Sequence, residues 1–348
     1  MSHTPTNCYF PLLAVAMVSS SLIPTWQPAQ AQLIPDNTLE AESSVVVPIE
    51  ALKEEIQGGA VRGANLFHSF LEFNVDAGSS VYFANPAGIQ HILTRVTGDQ
   101  ATNIGGRLGV NGGANLWLIN PNGINFGPDA SLDVRGSFVA STADGIELGQ
   151  QGVFSATNPQ NSQLLTIQPT ALFHQAWATH QAQINNQADL AVAPGQTLRL
   201  QGGTVKLTGS LTAPGGKVEV LGNRVGLLGN ARIDVSGVNG GGTALIGGDY
   251  QGQGEVPRAI RTYISPDARI SADALTNGDG GRVIVWADDI TRFYGEISAR
   301  GASGDGGFVE VSGKEQLVFR GKVDTDSDTG NLGTLHFRSA TSSVKSRF

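Results

Sequence analysis

Aspartates alternate with small polar residues near the C-terminus in a pattern that could bind Ca²⁺. Asp324, Asp326 and Asp328 are each separated by one residue, and Gly330 follows them. Alternating carboxylates on a turn supply the hard oxygen ligands that Ca²⁺ prefers. The glycine comes one position too late for an EF-hand loop, however, and Leu335 occupies the place of its closing glutamate. The spacing therefore favours a solvated loop, with a weak calcium site as the alternative.

The other acidic residues and the histidines lack the spacing of a catalytic or metal site. Asp288 and Asp289 are adjacent, and neighbouring residues of a strand point to opposite faces, so these carboxylates are a poor start for acid–base catalysis. No serine lies in a Gly-x-Ser-x-Gly motif. The histidines are scattered, without the i, i+4 spacing of a helical zinc site, and are assigned to packing or to the surface: His68, His91, His174, His180 and His336. We predict no catalytic residue and no cofactor.

Cysteine content and charge exclude further classes of protein. Cys8 is the only cysteine and lies in an apolar N-terminal stretch, which excludes a catalytic cysteine and a cysteine-bound structural zinc. The net charge is −8, from 22 basic and 30 acidic residues. An acidic chain argues against nucleic-acid binding through a basic face.

Two Asn-Pro turns stand between short apolar segments in the N-terminal half. The turns are Asn85, Pro86, Ala87 and Gly88, and Asn120, Pro121, Asn122 and Gly123. An asparagine before proline favours extended backbone, and Asn-Gly readily takes positive φ, so the second turn must reverse the chain sharply between two strands. Replacing Asn120 or Asn122 with alanine removes a turn acceptor, which is expected to cost about 1 kcal/mol of stability.

The sequence around these turns is characteristic of one protein family. LWLINPNGINFGPDASLDVRGSFVAST, over residues 116–142, strongly resembles the haemagglutination-activity (secretion) domain of filamentous haemagglutinin-like adhesins, which are two-partner secretion exoproteins. VYFANPAGI (residues 81–89), GANLFHSFLEFNV (63–75) and RVTG from Arg95 are similar to the same family. The resemblance is dense over residues 39–143, looser from there to about Leu335, and of the cyanobacterial type.

This resemblance implies a route and a partner. The chain would be recognised in the periplasm by an outer-membrane barrel transporter with periplasmic docking domains, and would fold at the cell surface. It would act there in non-enzymatic adhesion or aggregation, with cell-surface glycans or other cells as targets. The resemblance also marks the turn residues as a secretion motif: Asn85, Pro86, Gly88, Asn120, Pro121, Asn122 and Gly123. A purely structural role in holding tight corners is the leading interpretation of these residues, and direct contact with the transporter is the alternative.

Glycine pairs recur at fixed points in the C-terminal half. The spacing is 26 residues from Gly216 to Gly242 and from Gly281 to Gly307, and the 39 residues between these pairs are one and a half such units. Each unit has a Val-x-Val strand, a second apolar strand and a third strand, as one coil of a parallel β-helix requires. We therefore predict an all-β chain that forms a right-handed, single-stranded parallel β-helix. Six valines are expected in its continuous core: Val218, Val220, Val283, Val285, Val309 and Val311.

Four stretches depart from this repeat. Residues 33–75, with the amphipathic run 49–56, are predicted to cap the stack. Residues 245–273, with GGDYQGQGEVPRA, are predicted to form an extruded loop or hairpin. Residues 164–193 contain helix-like stretches, but the resemblance favours strands and loops. After Leu335 the sequence becomes basic and polar, which predicts an irregular tail and a member that lacks much of the adhesive array of its relatives.

The N-terminus predicts export. Residues 9–23 are almost all apolar or small, and Ala29 and Ala31 supply the small-x-small pattern that signal peptidase needs. We expect cleavage after Ala31. The apolar run is too short to cross the roughly 30 Å hydrocarbon core of a bilayer, so a permanent anchor is not expected.

The chain therefore divides into four predicted parts. These are a signal peptide (1–31), a filamentous haemagglutinin-type secretion domain with its N-terminal cap (32–150), continuing β-helix repeats (151–335) and an irregular tail (336–348). The leading function is that of a secreted two-partner exoprotein. A polysaccharide lyase or hydrolase is the alternative because many β-helices are enzymes, and a passive structural component of the cell surface is the third possibility.

Overall fold

Short β-strands joined by tight turns make up nearly all of the described protein. A computed structural model describes residues 1–2, 32–150, 152–161, 164, 167–173 and 182–344. Helical structure in these ranges is limited to 3₁₀ turns at Glu40–Glu42, Pro159–Asn161 and Tyr250–Gly252. No helix in them is long and apolar enough to cross a membrane. The predicted cleavage site at Ala29 and Ala31 lies outside the described residues, as do His174 and His180.

The first strands pair antiparallel. They are β1 (Gln32–Pro35), β2 (Ser44–Glu50), β3 (Lys53–Gly58), β4 (Ala60–Arg62) and β5 (Asn65–Asn74). β1 and β4 each pair with β5, and β2 pairs with β3. These strands cover the start of the stack, where a sheet edge would otherwise stay unpaired, and they lie where the sequence predicts a cap.

The strands that follow pair in parallel. They are β6 (Ser80–Ala84), β7 (His91–Val96), β8 (Thr102–Ile104), β9 (Arg107–Asn111), β10 (Asn115–Ile119), β11 (Ile124–Phe126), β12 (Ser131–Asp133) and β13 (Phe138–Ser141). β5, β7, β10 and β13 stack on a first face of the coil, and β8 and β11 on a second. β3, β6, β9 and β12 form the third face.

The chain then leaves the stack in an antiparallel hairpin excursion. Its strands are β14 (Gly145–Glu147), β15 (Val153–Ser155) and β16 (Ala171–Phe173), and β14 pairs with both others. The strands predicted within residues 164–193 are therefore present at β16 and at the start of the next coil.

The second half returns to the stack and completes it. Its strands are β17 (Gln183–Asn186), β18 (Asp189–Ala191), β19 (Thr197–Leu207), β20 (Ser210–Thr212), β21 (Lys217–Leu227), β22 (Arg232–Asp234), β23 (Thr243–Ile246), β24 (Arg261–Ile264), β25 (Arg269–Ser271), β26 (Arg282–Ala287), β27 (Ile290–Phe293), β28 (Glu296–Ser298), β29 (Phe308–Gly313), β30 (Gln316–Phe319), β31 (Lys322–Asp324), β32 (Thr334–Arg338) and β33 (Thr341–Val344). The long strands β19 and β21 span the first and second faces, and β18, β20, β22, β25, β28 and β31 stack on the third.

The pairing register confirms the predicted repeat. Val218 aligns with Ala244, Ala244 with Val283, and Val283 with Val309. The additional residues of the long coil form a loop of residues 247–260 between β23 and β24. The predicted extrusion of residues 245–273 is correct for this loop. It is wrong for the end of β23 and for β24 and β25, which pair within the stack because Ile246, Ile264 and Ile270 point inward to the core.

Inward side chains form one continuous apolar core. All six predicted valines are fully buried in it. Like residues stack between coils: the rings of Phe293 and Phe319 are 5.3 Å apart and nearly parallel, and Phe337 lies 4.8 Å from Phe319. The prediction of an all-β, parallel β-helix is confirmed.

Two excursions cover apolar side chains that point outward from the first face. The hairpin excursion packs Phe154 on Phe67, with ring centroids 5.0 Å apart. The 247–260 loop packs Tyr250 against the group that contains Ile284 and Trp286. Outward apolar residues on this face are thus shielded from water by chain that does not belong to the repeat.

The predicted irregular tail after Leu335 is wrong for most of its length. β32 and β33 form part of a further coil, in which Leu335 aligns with Val309 and Phe337 with Val311. Alternation of apolar and polar residues in TLHFR maintains the strand although the surrounding composition is polar.

Candidate functional site

The Asn-Pro turn of residues 120–123 joins β10 on the first face to β11 on the second. It closes through a hydrogen bond from the Gly123 amide to the Asn120 carbonyl, at 3.1 Å, and Gly123 has a φ of +125°. The Asn122 amide donates to Asn120 Oδ1 at 2.9 Å. The Asn120 side chain therefore satisfies a backbone group inside the turn, as the sequence predicts.

Asn120 also ties this turn to the preceding coil. Its Nδ2 donates to the Gln100 carbonyl at 2.9 Å and to the Thr102 hydroxyl at 3.0 Å. Asn120 is fully buried, whereas Asn122 is exposed and donates from Nδ2 to the Gly98 carbonyl at 2.7 Å. The two asparagines of one motif thus lie in different environments.

The Asn-Pro turn of residues 85–88 lies at the opposite end of the first face, between β6 and β7. The Ile89 amide donates to the Pro86 carbonyl at 3.2 Å, and Asn85 Nδ2 donates to the Ile89 carbonyl at 3.1 Å. Asn85 Oδ1 accepts from the Ala114 amide of the following coil at 3.0 Å. The structure does not bring the two turns together, but in each the first asparagine links two coils.

A buried arginine joins the first coils to the N-terminal strand and to the hairpin excursion. Arg95 lies on β7 and has no exposed surface. Its guanidinium donates to Ser69 Oγ at 2.8 Å, to Thr38 Oγ1 at 2.7 Å and to the Ser155 carbonyl at 2.6 Å. It also lies over the ring of Phe154. Residues that are far apart in sequence therefore meet at one side chain.

Asp36 balances this buried charge. Its carboxylate accepts hydrogen bonds from the hydroxyls of Thr97, Ser69 and Thr38. Burial acts to raise the pKa of Asp36, but these hydrogen bonds outweigh it and the pKa is lowered. Burial lowers the pKa of Arg95 to about 10, an effect that the charge of Asp36 opposes. Both groups are therefore ionised at neutral pH, and their charges cancel.

Comparison with known protein families identifies the domain. The model of the TPS secretion domain, the domain of two-partner secretion, matches residues 31–253. This is more than half of the chain and contains both Asn-Pro turns and Arg95. The chain belongs to the TPS secretion domain family. It is the secretion domain of a two-partner exoprotein, which crosses the outer membrane and is recognised by an outer-membrane transporter.

Two solved structures are similar to this TPS domain. The HMW1 secretion domain from Haemophilus influenzae is 22% identical, with 87% of this chain and 100% of that chain covered and a TM-score of 0.43. A filamentous hemagglutinin secretion domain is 16% identical, with 87% and 99% covered and a TM-score of 0.42. No curated protein matches the chain at a significant level.

TPS secretion domains of the haemagglutinin type are non-enzymatic. The adjacent carboxylates Asp288 and Asp289, which lie beyond the matched residues, are each held in an ion pair. Asp288 accepts from Trp286 Nε1 at 3.0 Å and pairs with Arg258 at 3.4 Å. Asp289 pairs with Arg261 at 3.0 Å. Each of the two carboxylates therefore has a cationic partner of its own.

The predicted calcium residues lie beyond the matched domain, at the end of β31 and in the loop that follows it: Asp324 is the last residue of β31, and Asp326 and Asp328 are exposed. Arg300 lies 3.2 Å from Asp328 and 3.9 Å from Asp324, and the Asp326 amide donates to Asp324 Oδ1 at 3.0 Å. Over the described ranges, no group of three histidine, cysteine or acidic residues is placed to hold a metal ion. The weak calcium site at these residues stays a prediction.

The Arg95 cluster is the part of the site that sequence reasoning missed. Its members are Asp36, Thr38, Ser69, Arg95, Thr97, Phe154 and Ser155. Arg95 could have been found, since an arginine between the apolar residues of the strand HILTRV indicates a buried charge with partners. Ser69, one of its partners, is aligned with it on the neighbouring coil. Asp36 and Ser155 could not have been found, because they lie outside the repeat and are not aligned with Arg95 by any strand pairing.

Proposed function

We propose that the turn of residues 120–123 is a feature that the docking domains of the transporter bind, and that the same turn later joins two coils of the folded domain. The observation that carries this proposal is the division of its hydrogen bonds. Those that shape the turn, from Gly123 to Asn120 and from Asn122 to Asn120, link residues at most three apart. Those from Asn120 to Gln100 and Thr102, and the exposed one from Asn122 to Gly98, need the preceding coil.

Local bonds of this kind close with little loss of chain entropy, so the turn can form before any coil has stacked. A chain that reaches its transporter unfolded would then carry a shaped element for the docking domains to bind. After export, stacking buries Asn120 and adds the bonds to the preceding coil. The structural and the recognition roles of the motif are thus successive uses of the same residues.

A substitution at Asn122 can distinguish the recognition role from the structural role. Asn122 is exposed, and its side chain contributes little to packing, so Asn122→Ala should leave the melting temperature of the purified domain within a few degrees of the parent. Secretion of this variant by cells that contain the transporter should fall strongly. The matched control is Asn125→Ala, which removes a partly exposed asparagine that donates to Asn103 Oδ1 at 3.0 Å but lies outside the turn.

Normal secretion of Asn122→Ala, or equal losses for Asn122→Ala and Asn125→Ala, would contradict recognition of the turn. A variant that is neither secreted nor stable would assign the residue to folding alone.

We infer further that residues 1–31 act as a signal peptide and that the mature protein acts in adhesion or aggregation at the cell surface. The apolar run of residues 9–23 and the Ala29-x-Ala31 pattern support the signal peptide. N-terminal sequencing of the secreted protein should begin at Gln32, and a start elsewhere would contradict this cleavage site. The cyanobacterial type of the sequence stays a prediction.

An assay of cell aggregation and adhesion distinguishes an adhesin from a passive structural component. Cells that secrete the protein should aggregate or adhere more than cells that lack it. Equal aggregation and adhesion with and without the protein would favour the passive component.

A further inference from the structure

A basic groove crosses the second face of the repeats. Side chains of β19, β21, β24 and β27 line it, and it encloses about 360 Å³. Four cationic residues lie along it: Lys206, Arg224, Arg261 and Arg292. None of the described residues that line the groove is acidic, although the chain has a net charge of −8. The groove is therefore positively charged, although the protein as a whole is negatively charged.

Most of this positive charge is not neutralised. Arg261 pairs with Asp289, but Lys206 donates to the neutral side chain of Gln183 at 3.1 Å. Among the ion pairs of the described residues, none includes Arg224 or Arg292. Cations on adjacent strands of a concave surface add their potentials and attract anions.

The centre of the groove is opened by a glycine that the backbone does not require. Gly226 lies in register between Lys206 and Tyr263, and its φ is outside the left-handed region. An added Cβ would meet nothing closer than Leu228 Cδ2 at 3.4 Å, whereas one at Gly222 of the same strand would lie 2.2 Å from a backbone oxygen. Glycine within a strand weakens it, and often marks close approach of a ligand. Packing explains Gly222 and leaves Gly226 without a structural reason.

An aromatic ring borders this notch. Tyr263 is 37% exposed, its ring lies 5.9 Å from that of Tyr294, and Arg292 follows it in register on the next coil. The face of a sugar ring can pack on an aromatic ring, while an attached carboxylate or sulfate pairs with a guanidinium in planar geometry. Tyr263 and Arg292 therefore offer both contacts to one charged sugar.

We propose that this groove binds an acidic polysaccharide. A sugar ring occupies the notch at Gly226 beside Tyr263, and its anionic groups pair with Arg224 and Arg292. Arg224 and Arg261 are aligned on neighbouring coils, which repeat at about 4.8 Å. Lys206 and Arg292 lie two residues further along the strands, at either end of the column that contains Gly226 and Tyr263. A chain with repeated negative charges can therefore lie along these two columns. The groove lies on later coils than the Asn-Pro turns and extends the function beyond secretion. If the turn of residues 120–123 proves not to bind the transporter, the proposal for the groove is unaffected.

The test uses the secreted, folded full chain. Polygalacturonate presents carboxylates and dextran sulfate presents sulfates, and each is immobilised beside neutral dextran. The wild type should be retained by at least one acidic polymer and not by dextran, and the better polymer identifies the anion. The double variant Arg224→Gln/Arg292→Gln should bind about tenfold more weakly.

A second variant tests the shape of the groove without changing charge. Gly226→Val fills the notch with a residue that favours strands and has space there, so it should fold normally and bind about tenfold more weakly. The control is Arg232→Gln, which removes one charge from an exposed residue of β22 on the third face. Its binding should stay within about twofold of the parent, as expected for a charge remote from the site.

Three results would overturn the proposal. They are no retention on either acidic polymer, wild-type binding by a folded Gly226→Val, and equal losses for Arg232→Gln and for the double variant Arg224→Gln/Arg292→Gln. Displacement of the polysaccharide by a single-stranded DNA oligonucleotide at equal charge concentration would also overturn it, because the groove would then be a general polyanion site.

Discussion

The guanidinium of Arg95 lies 4.3 Å from the centre of the Phe154 ring. Arg95 belongs to β7 within the stack, and Phe154 to the hairpin excursion. Because the same guanidinium donates to Thr38, near the N-terminus of the described domain, one side chain connects three segments. The contacts of Arg95 therefore fix the hairpin excursion to the stack, where it covers part of the first face.

Arg95→Lys should destabilise the domain without changing its formal charge. Lysine lacks the planar fork that reaches Ser69, Thr38 and Ser155 together, so buried partners lose hydrogen bonds. We expect the free energy of unfolding in urea to fall by about 2–4 kcal/mol. The control is Arg107→Lys at an exposed position of β9, which should change it by less than about 0.5 kcal/mol. Equal effects of the two changes would contradict this role of Arg95.

Stability should fall as the medium becomes mildly acidic. Burial lowers the pKa of His68 to about 3, while an unfolded chain has a histidine pKa of about 6.5. The unfolded chain therefore binds a proton first, so the stability from neutral His68 is complete above about pH 6.5 and is lost as the pH falls toward 3. Between pH 7 and pH 5 this amounts to about 2 kcal/mol of unfolding free energy.

Urea titrations at a series of pH values measure this dependence. The pKa of His91 is also lowered by burial, so it acts in the same direction. His68→Gln removes the main titrating group and should flatten the profile between pH 7 and pH 5. Identical slopes for His68→Gln and the parent would assign the pH dependence to other groups.

The repeat could be predicted from sequence because a stacked coil imposes the same requirement at each turn of the chain. Val218, Val283 and Val309 occupy one inward position, so their spacing reveals the coil without further information. The Arg95 cluster has no such period. Asp36 and Ser155 reach Arg95 from segments that leave or precede the stack, and only the three-dimensional path of these segments brings them together.

The Asn-Pro turn of residues 120–123 also shows which contacts can be predicted from sequence and which cannot. A turn between two strands and its local bonds follow from the residue types, and the sequence predicts the same loss of stability for Asn120→Ala and Asn122→Ala. Asn120 is also bound to the carbonyl of Gln100 and the hydroxyl of Thr102, which belong to another coil. The four residues of the turn do not reveal these partners, so the burial of Asn120 cannot be predicted from them.

Asn120→Ala should therefore destabilise the domain more than Asn122→Ala. The first change leaves buried polar groups on two coils unsatisfied, which should lower the free energy of unfolding by about 2–3 kcal/mol. The second removes an exposed bond and should lower it by no more than about 1 kcal/mol. Urea denaturation of both variants measures the difference. Equal losses would mean that the bonds from Asn120 to the preceding coil contribute no net stability.

The 247–260 loop should be displaced by one added side chain without unfolding the stack. Trp286 is 1% exposed, and a Cβ at Gly252, which has a φ of +65°, would lie 2.5 Å from its indole ring. Gly252→Val should expose Trp286 and shift its fluorescence to longer wavelength. The strands should persist because β21, β23 and β26 pair with one another, and the backbone bonds from the loop to β21 come from its end residues, Gly247 and Ile260, rather than from the part that contains Gly252.

Gly113→Ala is the matched control, since a Cβ there meets nothing within 4 Å and its φ is not in the left-handed region. Its fluorescence and its far-ultraviolet circular dichroism should equal those of the parent. For Gly252→Val, a shifted emission maximum with an unchanged β-sheet spectrum is the expected result. An unshifted emission maximum in a folded Gly252→Val would show that the indole is shielded by the strands alone, and that the loop is not required to cover this part of the first face.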